Sequence, residues 1–251
     1  MAAHLAERGE RQPHSLHANF LKPGNAARPL RFTVQTLSEG RSFAARRVEG
    51  VQGDAHVLTM TVSSQVPERG FQHAAQMPDV PDVASSRAAM DAWQKKQDDP
   101  ARVPILGRLT ERPVEILPVE IEAIFGDAPC APRSASWMRL RDGQAIAPEM
   151  QRSALAYASD MLFLRNALLP HGVRPGERGI QITSLDHAIH FHRQPDFAQW
   201  HLYAGESPWA GAARGLSRGH FFAEDGTLIA TVAQENLMRV IDGRRLDRAT
   251  L

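Results

Sequence analysis

The sequence predicts an α+β protein made of two copies of one antiparallel-sheet unit, with a long helix ahead of the second copy's strands. Three observations carry that reading. His17-Ala18 recurs as His187-Ala188 at an offset of 170 residues, and the same offset puts Leu58-Thr-Met-Thr-Val62 on Leu228-Ile-Ala-Thr-Val232. Each copy contains a strand pair around a turn signal, Gln52-Gly-Asp54 in the first and Glu224-Asp-Gly226 in the second. Between Met150 and Leu169 the apolar residues Leu155, Met161, Leu162, Leu164, Leu168 and Leu169 suit one largely buried helix, stopped by Pro170-His-Gly172.

In chain order, the first copy has strands over 30–37, 42–51 and 56–64, following a His14–Phe20 segment that resembles 183–191. Met77-Pro-Asp-Val-Pro-Asp82 is extended and turn-rich, Ser85 to Lys96 forms one short helix, and Val114 to Ile121 reads as a strand broken by Pro118. Trp137–Arg141 is a strand running into the Asp142-Gly143 turn. The second copy then supplies strands over 182–192, from 200, over 214–222 and over 227–234. One helix against a curved antiparallel sheet is the minimal layered solution for such a unit. The first copy has no room for its helix, since thirteen residues precede its first strand and show no apolar period. Its sheet is expected to present an apolar face that invites a partner subunit. The division expected is an arm at 1–13, a partial unit at 14–75, a linker at 76–112, a complete unit at 113–241 and a tail at 242–251.

At 251 residues, 43% hydrophobic and 23% charged, the composition is that of an ordinary soluble globular chain. A net charge of +1 shows no commitment to nucleic acid or to an anionic membrane surface. No apolar run is long enough to span a membrane, and nothing at the N-terminus resembles a signal peptide, so a cytoplasmic location is expected. The single cysteine, Cys130, excludes an internal disulfide framework; it lies in a Pro-rich stretch with no His or Asp motif around it.

Three polar residues stand out by their surroundings. Asp160 is a carboxylate within an apolar helix, either functional or on an exposed face. Ser184 begins the alternation Ser184, Asp186, Ala188, His190, His192, opposite Leu185, His187, Ile189 and Phe191. That face either shares a water or ligand between Ser184 and Asp186, or is a solvated edge. Gln234 ends an apolar strand with an amide able to donate and accept together, and its alternative is a simple strand terminus. Asp186, His190 and His192 share a face but lack a recognised zinc spacing. There is no Gly-x-Ser-x-Gly elbow, phosphate-cradling loop or dinucleotide fingerprint, so an acyl-serine mechanism has little support.

Several segments resemble the acyl-CoA thioesterase II family, whose members are built from two fused hot-dog units. They are His14-Ser-Leu-His-Ala-Asn-Phe-Leu-Lys-Pro-Gly24, Gly40-Arg-Ser-Phe43 with Arg46-Arg-Val48, and Met77-Pro-Asp-Val-Pro81. In the second half they are Leu155-Ala-Tyr-Ala-Ser-Asp160, Ser184-Leu-Asp-His-Ala188 with Phe191-His-Arg193, and Arg214-Gly-Leu216 through Val232-Ala-Gln-Glu235. The resemblance implies a double hot-dog fold and hydrolysis of fatty acyl-CoA by a water held on Asp160, Ser184 and Gln234. It implies no cofactor and no metal. The chain departs from the family in three ways: it has Ser184 where members commonly have threonine, it starts after the strand and helix that carry a Gly-Gly-Gln motif, and it has His190 where members often have Trp. The departure at the N-terminus motivates a second reading, an acyl-CoA-binding or assembly subunit without turnover. A hydratase on the same fold lacks its Asp-His signature here. A homo-oligomer is expected, because hot-dog sheets commonly pair edge to edge.

Overall fold

The computed structural model describes residues 11–97, 112–126, 128–177 and 179–241. Most of the expected arm and the whole tail at 242–251 fall outside them, although Gln12 and Pro13 already belong to the first strand. The strands are β1 (Gln12–Phe20), β2 (Arg31–Glu39), β3 (Phe43–Gln52), β4 (Ala55–Gln65), β5 (Val114–Pro118), β6 (Arg133–Leu140), β7 (Ile180–Ser184), β8 (Asp186–Phe191), β9 (His201–Gly211), β10 (Arg214–Ala223) and β11 (Leu228–Val240). They form one sheet in the order β2-β3-β4-β1-β8-β11-β10-β9-β6-β5, with β7 pairing β11 beside that path. The helices are α1 (Val83–Lys95), α2 (Ile121–Phe125) and α3 (Pro148–Ser159). The α+β class and the two hairpins expected from sequence are present, with Gly53 and Gly226 supplying the positive φ their turns need.

The two copies meet where β1 runs antiparallel to β8, with His17 opposite Ala188 and Ala18 opposite His187. The sequence repeat finds the right strands but aligns them three residues off. Leu16 faces Val62 and Ile189 faces Val232. With Val62 on Val232, the counterpart of His17 is therefore His190 and not His187.

One face of the sheet carries Leu16, Val48 and Val62 in the first copy and Ile189, Phe221 and Val232 in the second. In the second copy α3 covers it, packing Leu155 and Ala158 onto Ile189, Val232, Phe221 and Tyr203. The opposite face of that copy is covered too: α1 and α2 set Met90, Ile124 and Phe125 against Leu117, Trp137, Leu202 and Phe222. Asp82 caps α1 by accepting from Ser85 N at 2.8 Å, and Trp137 Nε1 donates to Pro81 O at 3.0 Å. Strands buried on both sides have apolar residues at consecutive positions, as Phe221 and Phe222 do. In the first copy β2 is exposed along all nine residues, and Phe20, Phe32 and Val34 lie open to solvent. Pro118 sits on edge strand β5, where a missing N–H is tolerated.

The segment after α3 lies on a patch of the sheet that lacks side chains. A Cβ on Gly205 would meet Asn166 Nδ2 at 2.7 Å, and one on Gly215 would meet Ala167 Cβ at 2.5 Å. Gly205→Val is expected to destabilise the protein by about 1–3 kcal/mol, because the added methyls must displace Asn166 and Phe163. Gly70→Val, where a Cβ meets nothing within 4 Å, is the control that keeps its thermal midpoint.

Candidate active site

The helix predicted over 150–169 ends at Ser159, with Asp160 as its C-cap. Leu162 takes a left-handed φ of 64°, and the chain continues as short 3-10 turns over Phe163–Ala167 and Leu169–His171. Contacts outside the helix take over here. Asn166 Oδ1 accepts from Ser134 Oγ at 2.7 Å, and buried Arg165 donates through Nε to Ala123 O at 2.5 Å. Continuing the helix would break both. The consequence for Asp160 is that it stands at a helix break and is exposed.

Ser184 and Asp186 do not share a face. Ser184 pairs with Asn236, whereas Ala188 pairs with Ala233, so the 184–188 stretch holds one residue more than the strand beside it. That bulge at Leu185 turns Ser184 to the inner side, next to Gln234. It also leaves Glu235 N–H without a ladder carbonyl, and Asp186 Oδ1 accepts it at 2.7 Å. The second oxygen, Asp186 Oδ2, lies 3.0 Å from His17 Nε2. Asp186 is thus occupied in holding the bulge, and the idea that it shares a water with Ser184 is set aside.

Gln234 projects from β11 on the inner face and is fully buried. Its Nε2 lies 3.0 Å from Asp160 Oδ1, 2.8 Å from Ser184 Oγ and 2.9 Å from Asn236 Oδ1. Ser184 Oγ lies 3.4 Å from Asp160 Oδ1. The three residues singled out in the sequence, from a helix end, a bulged strand and a central strand, therefore meet at one point. Sequence reasoning passed over His187 there. Its Nδ1 bonds Gln234 Oε1 and its Nε2 lies 2.7 Å from Ser159 Oγ, while Tyr203 donates to Ser159 O at 2.8 Å. A signal was present: His187 alternates with Ile189 and Phe191, an imidazole on an otherwise apolar face. Burial pushes its pKa below the ordinary histidine value and raises that of the enclosed Tyr203 phenol.

Comparison with known proteins gives the family of the chain. A family model described as acyl-CoA thioesterase matches residues 107–237, and one described as acyl-CoA thioesterase N-terminal domain matches residues 1–65. Acyl-CoA thioesterase 2 of Haemophilus influenzae is 35% identical over 229 residues, covering 90% of this chain and 79% of its own length. Human acyl-coenzyme A thioesterase 8 is 34% identical over 236 residues, covering 90% and 73%. The chain belongs to the acyl-CoA thioesterase family. Among solved structures, an acyl-CoA thioesterase II from Mycobacterium marinum superposes with a TM-score of 0.79 at 33% identity, covering 96% of this chain and 86% of that one. A hot-dog-fold protein from Alicyclobacillus acidocaldarius superposes with a TM-score of 0.74 at 22% identity, so the hot-dog architecture expected from the resemblance is the one this chain has.

Within the family fold, the remaining candidates lie away from the trio. His192 Nε2 bonds Thr231 Oγ1 at 2.9 Å, and His190 is exposed on the outer face. No group of three His, Cys, Asp or Glu residues suited to a metal ion occurs among the described residues. No helix among them is long and apolar enough to cross a membrane. Cys130 is exposed and free.

Buried histidines give the thioesterase fold a predictable response to acid. Desolvation lowers the pKa of His187 and His201 from the ordinary 6.5. The unfolded chain therefore binds protons, as pH falls past about 6.5, that the folded chain refuses. Stability is expected to be full above that pH and to fall below it, down to the depressed folded values. Urea midpoints near pH 7.5 and near pH 5.5 measure the drop. His201→Asn, which keeps a donor for Gln199 O, is expected to shrink it.

Proposed function

We propose that this chain hydrolyses fatty acyl-CoA to free fatty acid and CoA by direct attack of a water held on Asp160, Ser184 and Gln234. The observation that carries the reading is the convergence of the Gln234 amide on Asp160 at 3.0 Å and on Ser184 at 2.8 Å. Asp160 is exposed, so a water can reach it from solvent. The carboxylate takes the water's proton as oxygen attacks the thioester carbon; the tetrahedral intermediate then collapses with loss of the CoA thiolate, which is protonated to the thiol. Ser184 and Gln234 fix the geometry and move no bonds. Attack by Ser184 itself is disfavoured, because the imidazole nearest to Gln234 has both ring nitrogens engaged, one by Ser159 and one by Gln234. A cytoplasmic role in fatty-acid metabolism is the setting that goes with this reading.

Thiol release from acyl-CoAs of increasing chain length tests the proposal. Asp160→Asn is expected to lower turnover on the order of 100-fold or more, the scale of a lost general base. Full turnover in that variant would overturn the mechanism. Acyl-CoA binding by the wild type without thiol release would favour the second reading, a binding or assembly subunit.

The open apolar face around Phe20, Phe32 and Val34 supports a homo-oligomer in solution. Light scattering is expected to give more than one chain per particle, and a clean monomer would contradict it.

A further inference from the structure

A glutamine amide has two orientations that differ only in exchanging its oxygen and nitrogen, so something must choose between them at Gln234. Three acceptors, Asp160 Oδ1, Ser184 Oγ and Asn236 Oδ1, lie on the Nε2 side at 3.0, 2.8 and 2.9 Å. The reversed amide would set its carbonyl oxygen against the Asp160 carboxylate. On the other side stands one group, His187 Nδ1, in a short hydrogen bond with Oε1. A carbonyl oxygen only accepts, so Nδ1 carries the proton.

The ring is held in turn. His187 is 6% exposed, with Phe163 edge-on to it at 6.5 Å, and its Nε2 meets Ser159 Oγ at 2.7 Å. Ser159 is fixed by Tyr203, whose hydroxyl donates to the Ser159 carbonyl at 2.8 Å. Ser159 and Asp160 are consecutive, so one helix end carries both the carboxylate and the group that orients the imidazole. Desolvation lowers the ring's pKa, and a neutral ring with its proton on Nδ1 leaves Nε2 to accept from the Ser159 hydroxyl, which also lies 2.9 Å from the Ala156 carbonyl.

We propose that His187 is a positioning residue, which donates from Nδ1 to hold the Gln234 amide with its NH2 toward Asp160 and Ser184. The inference rests on the hydrolase reading of the trio. Without that donor the amide samples both orientations, and the reversed one repels the carboxylate that must take the water's proton.

Two replacements separate this role from packing. His187→Asn keeps an amide N–H near the Nδ1 position, whereas His187→Gln keeps its polar group near Nε2, beside Ser159. With both variants shown to be folded by their thermal midpoints, His187→Asn is expected to retain most of kcat. His187→Gln is expected to lose about 10- to 100-fold in kcat, with KM little changed, by analogy with losses on removing an orienting partner. In a Gln234→Ala background the two are expected to be equal. Equal loss in Asn and Gln variants on the intact background, or a better Gln variant, would overturn the proposal. Imidazole 15N spectra of the wild type give a readout that needs no turnover. A neutral ring protonated on Nδ1 is expected, and one protonated on Nε2 would overturn the assignment even if both variants failed to fold. Full activity in Asp160→Asn would sink the hydrolase mechanism while leaving that spectrum to decide His187.

Discussion

The pairing of β1 with β8 is the constraint on which the rest of the molecule depends. Among the described residues it is the only pair of neighbours in the strand order that joins the two copies, and it fixes β8 on both edges, against β1 on one side and β11 on the other. Phe20 N donates to Leu185 O at 2.9 Å, so the seam reaches into the bulge itself. A strand held on both edges cannot absorb an extra residue by sliding, because a one-residue slip would move His187, Ile189 and Phe191 off the core face. The extra residue is accommodated as a local bulge, and the bulge is what turns Ser184 inward. The joining of two sheets and the aiming of a site hydroxyl are thus one structural fact.

Much of the fold was legible because it is written in short-range patterns. Alternation located β2, β3, β4, β10 and β11, and the Asp225-Gly226 pair located a hairpin. Apolar spacing located α3, and a Pro-rich stretch located the start of α1. What failed were features decided by distant contacts. The period of 150–169 continues past Ser159, but Arg165 and Asn166 find better partners at Ala123 O and Ser134 than a helix could offer. The offset of 170 is right for β4 and β11 and three residues out for β1 and β8, since identity of two letters cannot report a ladder register. The first copy's counterpart of His187 is accordingly not His17.

The candidate site was legible as residues and illegible as geometry. Asp160, Ser184 and Gln234 each looked out of place in an apolar setting, and they do converge. But alternation alone assigned Ser184 to the face of Asp186, because a bulge of one residue leaves no trace in a hydrophobic pattern. His187 was passed over for the opposite reason: it obeys the alternation, and only its imidazole among apolar neighbours marks it out.

Departures from local rules gather around this point of the molecule. A carboxylate caps the C-terminus of α3, where the helix dipole disfavours negative charge. Leu162, two residues on, adopts a left-handed conformation worth roughly 1–2 kcal/mol of strain in a residue with a Cβ. Ser217 Oγ and Asn236 Nδ2, paired across the ladder with Gln234 and Gly215, are buried without a hydrogen-bond partner among the described residues. An apolar core of the same shape would be more stable than this cluster. The pattern has a physical logic. On the reading proposed above, the carboxylate needs access to a water while the amide beside it must be rigid, and rigidity comes from burial. A helix that stops at the sheet surface offers both within one hydrogen bond, and the break at Asp160 and Leu162 is where this chain makes that stop.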